Sequence, residues 1–324
     1  MGSYFCNKSP FLSFQYFHYA MRVSERGTAL VKSLRVSKQE KIAYLCILPS
    51  LFIVVSIIFV PVLKTFINAF FELDRYGNMK GFAGFDNFIR LFREDLFLRI
   101  FLNTLYWTFG MVALTIIISL VLALALNNNF FGRKFSRAVL LLPWAASLMI
   151  SALLWRWLFN GDYGMVNRLL QDLGIIDRTI HWLAEVRTSF PSMIFVGIIV
   201  SIPFDTITFL AGLQAIPIEL YEACRVDGAH RLQILFKITL PLLKPVFFIV
   251  TTLEIIYTFN SFPIIWIMTR GDPADHTHIM ITYLYKKAFL YQDFGIASAL
   301  SVFIFLLLLM FSILYARLLY RKGD

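Results

Sequence analysis

Apolar residues in this chain gather in long runs and do not recur at the three- and four-residue spacing of a half-buried surface helix. Short stretches holding most of the charge, Gly and Pro separate the runs. Such runs predict helices that are apolar on every side, and several of them together imply a lipid solvent. A hydrocarbon layer about 30 Å thick takes roughly 20 helical residues to cross. Six stretches meet that length with few charges: residues 42–70, 101–127, 138–159, 191–213, 243–268 and 292–316. The expected fold is all-α, a polytopic membrane protein with six transmembrane helices. Its transmembrane domain covers 42–319, between tails at 1–41 and 320–324.

Composition supports the lipid solvent, with 59% hydrophobic and 15% charged residues, a balance foreign to water-soluble domains. The net charge of +10 is unevenly spread. With the tails and the second and fourth connections on one side, and Lys244 at the start of the fifth span counted with them, that side holds 17 Lys and Arg against 6 Asp and Glu. The other side, with Asp293 at the start of the sixth span counted there, holds 11 against 12, and Lys64, Arg156, Asp205 and Glu254 fall deeper inside spans. An excess of Lys and Arg marks the cytoplasmic side, so both termini are expected there. The charge thus records topology and implies no nucleic-acid partner.

Cys6, Cys46 and Cys224 are scattered over the tail, the first span and a loop, which gives neither a disulfide framework nor a metal-ligand spacing. Residues 1–20 lack the uninterrupted apolar core of a cleaved signal peptide. Cys6 stands where a myristoylation signal needs Ser or Thr. Phe11, Phe14, Phe17 and Tyr19 before Arg22 fit a segment on the inner leaflet and a disordered tail equally well. No Ser-His-Asp set, paired carboxylates, zinc spacing or Gly-Lys-Ser/Thr phosphate loop occurs in a soluble context. The chain is therefore expected to be no enzyme, with no catalytic residue, metal or cofactor of its own.

The fourth connection, residues 216–241, carries the most specific pattern. Pro217 suits a first helical position, where no backbone donor is needed, and Glu219 follows in the first turn, where the helix dipole favours an anion. Gly228 is a natural stop through the left-handed conformation. A helix of about ten residues, roughly 15 Å long, is expected outside the membrane. A second short helical stretch should lead to Pro241 and Pro245. Glu222 and Ala223 are followed after Cys224 by three residues and Gly228, then by nine residues, Ile238, one residue, and Leu240-Pro241. This resembles the Glu-Ala-Ala loop of the membrane subunits of binding-protein-dependent ABC importers, with Cys224 in place of the second Ala.

Further motifs extend the resemblance from residue 42 onward: Gly84-Phe-Asp-Asn-Phe, Asn103-Thr, Arg137, Leu142-Pro-Trp, Trp155-Arg-Trp-Leu-Phe-Asn and Tyr163-Gly-Met-Val-Asn. Ala211-Gly-Leu-Gln-Ala-Ile-Pro, Thr269-Arg-Gly-Asp-Pro and Phe294-Gly-Ile-Ala-Ser-Ala-Leu-Ser complete it. These are similar to the carbohydrate-uptake branch, in particular to the larger maltose-transporter subunit. The resemblance implies a type I importer fold in the bacterial inner membrane. Partners would be a second homologous membrane subunit, two ATPase subunits that bind ATP and Mg, and an extracytoplasmic solute-binding protein. The loop helix, with Glu222, Ala223, Asp227, Gly228 and Ala229, would dock on an ATPase and carry its closure to the spans.

By the same resemblance Trp144, Leu148, Ser201, Phe204, Glu254 and Thr258 match sugar-contacting positions. Glu254 and Thr258, four apart, share a helical face. An aromatic face packs on the apolar side of a pyranose while carboxylate and hydroxyl groups bond its hydroxyls. Against this, Trp144 and Phe204 suit helix packing equally, and Glu254 has Arg156 or Lys64 as alternative partners. Asp205 would line the cavity or reach the outer interface. The sugar is not fixed by any residue; an acidic oligosaccharide such as alginate is one candidate, with acidic Glu254 awkward for it. Two rivals are an ion-gradient-driven secondary transporter using Glu254 and Asp205, which usually shows an inverted repeat, and a membrane enzyme acting on lipid-linked sugar. Neither a convincing repeat nor a catalytic constellation is visible.

Overall fold

The computed structural model describes the backbone of residues 38–320 and the side chains of 44–317. The expectations for the N-terminal aromatics, Cys6 and the last four residues lie outside that range. The chain divides into two compact units, residues 1–64 and 65–324. In the first, α1 (Lys38–Val54) passes through a π-helical turn at Val55–Phe59 into the beginning of α2 (Val60–Asn68), whose last four residues are counted with the second. The apolar stretch Tyr44–Asn68 is long enough to cross a membrane, and its described side chains up to Lys64 are exposed along their whole length.

The second unit opens with a small departure from the all-α expectation. Strands β1 (Phe71–Leu73) and β2 (Met79–Phe82) pair antiparallel, with Phe71 opposite Phe82. Asp74 makes the turn: its Oδ1 accepts the backbone N–H groups of Tyr76 and Asn78, both at 2.8 Å, and Gly77 takes φ +80°. These bonds hold the Asp74 carboxyl below its ordinary value. After α3 (Asp86–Arg93), the second span, α4 (Asp95–Asn127), begins six residues earlier than the apolar run alone indicates. Asp95 and Arg99 extend it into polar surroundings, with Asp95 in the first turn, where the dipole favours it.

The third span is not one rod. α5 (Arg133–Ala145) and α6 (Leu148–Leu158) meet at 91°. Pro143 lacks the N–H that would continue the ladder, and Ala146 and Ser147 are extended. α7 (Met165–Asp172) is a short amphipathic helix. The fourth span is α8 (Val186–Gln214). α9 (Ile218–Val226), α10 (Arg231–Ile234) and α11 (Leu240–Leu242), with a π-helical turn at Leu235–Thr239, make the long connection. The fifth span also breaks: α12 (Lys244–Phe259) yields to α13 (Phe262–Met268) at Asn260–Ser261, where Pro263 restarts the helix. α14 (Met280–Tyr285) and a π-helical turn at Lys286–Leu290 precede the sixth span, α15 (Phe294–Tyr320).

Lipid tails are as apolar as the helices, so packing and polar contacts hold such a bundle together. The α4–α8 contact is the centre of it. Gly197 lies so close to Met111 that an added Cβ would stand 2.4 Å from its sulfur. Trp107, Met111, Met193, Val196 and Ile265 fill one buried cluster, and Leu210, Leu213, Leu243 and Val250 another towards the 216–241 connection.

The connection between the fifth and sixth spans is tied firmly to α4. Asn103 Nδ2 donates to the carbonyls of His276 (2.7 Å) and His278 (3.0 Å), and Thr104 Oγ1 accepts from the N–H of Met280 at 2.9 Å. Glu94 accepts from Tyr283 Oη at 2.6 Å and pairs with Lys287. Fully buried His278 lies 3.2 Å from Asp275, which Lys286 also meets at 2.5 Å.

Candidate functional site: an exposed hairpin and an aromatic face

The 216–241 connection folds as a hairpin of short helices. Pro217 caps α9 from outside, in an extended conformation, and the helix starts at Ile218; the expected first-turn proline is thus displaced by one position. Glu219 does fall in the first turn. Gly228 adopts φ +75°. The Ala229 N–H reaches the Cys224 carbonyl at 2.9 Å and the Gly228 N–H that of Arg225 at 3.1 Å, the paired bonds of a Schellman stop. An added side chain at Gly228 would meet open space, so its requirement is conformational and not steric crowding by neighbours.

Past the stop, the His230 N–H donates to Gln233 Oε1 at 3.0 Å, starting α10. Tyr221 and Thr239 hydroxyls, 3.4 Å apart, join the two legs of the hairpin. Glu222, Ala223, Asp227 and Gly228 are exposed and Ala229 is half-buried. Val226 is 88% exposed, Leu232 68% and Phe236 64%, an apolar fringe around the acidic face that is left uncovered by the described residues. The hairpin's root is rigid: Gly212 admits Val246 so closely that a Cβ would stand 2.6 Å from it. Two arginines brace the adjoining end of α4, where Arg133 Nε (2.8 Å) and Arg137 Nη2 (3.3 Å) both donate to the Leu126 carbonyl. Sequence reasoning picked out Arg137 only as a motif residue. The signal for its role is a cation within reach of a helix C-terminus, which has unpaired carbonyls.

The six positions matched to sugar contacts separate into two groups. Trp144, near the end of α5, and Phe204 on α8 stack at 6.3 Å with 23° between their planes, and they are 55% and 38% exposed. Leu148 opens α6 just across the break and is half-buried, as is Ser201. Glu254 and Thr258, by contrast, are buried, at 4% and 2% exposure. Thr258 Oγ1 donates to Glu254 Oε1 at 3.4 Å, and the Ser201 hydroxyl also bonds this carboxyl. Asp205, 1% exposed, lies beside Glu254 with its Oδ2 unpartnered.

Within this chain the Glu254 carboxyl is thus enclosed between α8, through Ser201, and its own helix α12, through Thr258. Arg156 does not serve it: that guanidinium donates to the Ile267 carbonyl at 3.0 Å. Asp205 reaches no outer interface. The arrangement is an exposed aromatic face backed by a buried seam of acids and hydroxyls. Among the described residues, no group of three His, Cys, Asp or Glu is placed to hold a metal.

With this geometry in view, comparison with known proteins is informative. Residues 95–322 match the family model described as the binding-protein-dependent transport system inner membrane component. A probable ABC transporter permease protein of Brucella abortus is 44% identical over 281 residues, covering 87% of this chain and 97% of its own. The trehalose/maltose transport system permease protein MalF of Thermococcus litoralis is 36% identical over 280 residues, covering 86% and 94%. Among solved structures, a bacterial ABC transporter involved in the import of the acidic polysaccharide alginate superposes with a TM-score of 0.79 at 25% identity, covering 89% of this chain and 98% of that one. The hairpin at 216–241, the six apolar crossings and these likenesses converge: the chain belongs to the family of inner-membrane components of binding-protein-dependent transport systems, the permease subunits of ABC importers.

Proposed function

We propose that this chain is one of two unlike membrane subunits of an ATP-driven importer that carries a sugar or oligosaccharide across the bacterial inner membrane, both termini being cytoplasmic. Two partner ATPase subunits bind ATP and Mg, and an extracytoplasmic solute-binding protein delivers the sugar. The observation that carries the carbohydrate reading is the exposed Trp144–Phe204 stack. A flat aromatic surface at membrane depth suits the apolar face of a pyranose. The sugar named for the permease of Thermococcus litoralis and the alginate named for the solved importer both support this class. None of Trp144, Leu148, Ser201, Phe204, Glu254 and Thr258 is a cation. A neutral sugar needs none, whereas the charge of an alginate-type oligosaccharide would have to be met by the second membrane subunit.

Coupling runs through the transmembrane domain's hairpin at 216–241. ATP binding closes the ATPases, draws the docked α9 helices together and opens the pathway outward; hydrolysis resets it. An ion-gradient mechanism gains nothing from the comparisons, since every relative cited is an ABC permease. The test is uptake into vesicles containing this chain and its partner chains. ATP-dependent accumulation of a maltose- or alginate-type oligosaccharide, weakened severalfold by Trp144→Ala with the complex intact, is expected. Uptake that follows an ion gradient without ATP, or that ignores Trp144→Ala, would overturn the reading.

A further inference from the structure

A cavity of about 480 Å³ lies where the far end of α6 meets the beginning of α8. Its walls are aromatic: Trp155 packs at 5.4 Å against both Phe159 and Phe195, and Trp182 closes on Phe159 at 5.8 Å. Arg187 stands among the lining residues, exposed, with no hydrogen bond or ion pair among the described residues. It stands four residues before the apolar run that begins at 191, on the headgroup side of that run, and the lining residues Pro191, Ser192 and Phe195 follow it along α8 into the run.

Two ligand chemistries suit aromatic walls, a sugar ring and a hydrocarbon chain, and the hydroxyls decide between them. Thr188 Oγ1 is committed to the Trp182 carbonyl at 2.9 Å and Ser192 Oγ to that of Thr188 at 2.7 Å. With both hydroxyl protons spent on carbonyls and the exposed wall almost wholly apolar, the cavity offers a sugar few polar partners besides Arg187 and the Trp155 indole, and burying unpaired sugar hydroxyls there is costly. A hydrocarbon chain has no such cost, and a cation at the mouth complements a phosphate. The neighbouring α7 supports the same placement: Met165, Leu169 and Leu173 follow one another at four-residue spacing and are 58%, 48% and 70% exposed, with Arg168 beside them. Such a helix lies in a membrane interface.

We propose that this cavity binds one membrane phospholipid, an acyl chain among Trp155, Phe159, Trp182 and Phe195 and the phosphate on Arg187. The inference rests on the placement of the spans and not on the sugar reading, and it is tested without transport. The full-length chain in its membrane complex is reconstituted into nanodiscs of phosphatidylethanolamine and phosphatidylglycerol. A trace of phospholipid with a photoreactive acyl chain is included, and cross-linked peptides are mapped after irradiation. Cross-links on the segments holding Trp155–Val166 and Trp182–Phe195 are expected, reduced about tenfold by Arg187→Gln, since a hydrogen bond to a charged group is worth that much. Filling the cavity with Val166→Trp should reduce them similarly, while labelling around exposed Ile117 stays unchanged. Absence of labelling in these two segments overturns the proposal, as does labelling that both variants leave intact or that soluble oligosaccharide abolishes.

Discussion

The indole N–H of Trp107 on α4 donates to the Thr258 carbonyl on α12 at 3.0 Å, one turn beyond Glu254 and just before the break in the fifth span. Trp107 is fully buried, so the turn that carries Glu254 and Thr258 is fastened to the centre of the bundle. Glu254 is thereby held against Ser201 and Asp205 of α8, the helix that presents Phe204.

Glu254 variants should divide along this geometry. Glu254→Ala removes the acceptor used by Thr258 and Ser201 and leaves a void, while Glu254→Gln keeps both shape and an acceptor. The Ala variant should assemble yet transport poorly, at a cost of about 1–3 kcal/mol in the seam, and the Gln variant should retain more uptake. Concentration-dependent uptake and recovery of the intact complex are the measurements. Wild-type uptake by Glu254→Ala would remove this residue from the pathway.

At the 216–241 hairpin, conformation and charge are separable. Gly228→Val forces a β-branched residue to φ +75°, costing about 1–2 kcal/mol, whereas Gly228→Asn should be nearly neutral because Asn tolerates the left-handed region. Glu222→Lys reverses the charge on the exposed face without touching the fold. Both Gly228→Val and Glu222→Lys should weaken co-purification of the ATPase or binding-protein-stimulated ATP hydrolysis. If the two variants match wild type in both assays, coupling does not pass through α9.

Topology is testable with single cysteines placed after Cys6, Cys46 and Cys224 are replaced. Residues Asn78, in the hairpin turn, and Asp172, at the end of α7, are exposed and should react with a membrane-impermeant thiol reagent added to spheroplasts. A cysteine at exposed Lys134 should not; Lys134 is preferable to Arg133, which is engaged with the Leu126 carbonyl. Reaction at all three sites would refute the six-span arrangement with cytoplasmic termini.

The cap between the fifth and sixth spans should be acid-sensitive. Burial pushes the His278 imidazole down from 6.5 to about 4, with Asp275 offsetting part of the shift. Above 6.5 the folded and unfolded forms are both neutral and the cap is at full strength. Between 6.5 and about 4 the unfolded chain takes a proton that the folded chain refuses, so about 3 kcal/mol is lost as pH falls through that window. Thermal unfolding of the complex at pH 7.5 and 5 should show the loss, and His278→Gln should flatten it.

The six crossings were legible because a lipid solvent demands long apolar runs, and Gly228 because a helix stop has its own chemistry. The earlier start of α4 was not, since Asp95 and Arg99 belong to a helix that outlasts the hydrocarbon. Pro143 marked a weak point in the third span, yet a proline sets no angle; how α5 and α6 pack against their different neighbours does. The spacing of Glu254 and Thr258 gave a shared face but not its neighbour, which depends on how α12 is rotated against α4 and α8. Phe71–Leu73 is too short a strand to announce itself without the Asp74 turn that follows.

The right-angled third crossing bears on how the chain enters the bilayer. Its halves hold 13 and 11 residues, and neither alone matches the roughly 20 that the insertion machinery needs in order to release a segment sideways into lipid. Only together do they reach that length, and the bend between them is held by different neighbours, α8 against α5 and α13 against α6. The Trp144–Phe204 face therefore exists only where α8, which follows later in the chain, has packed beside α5.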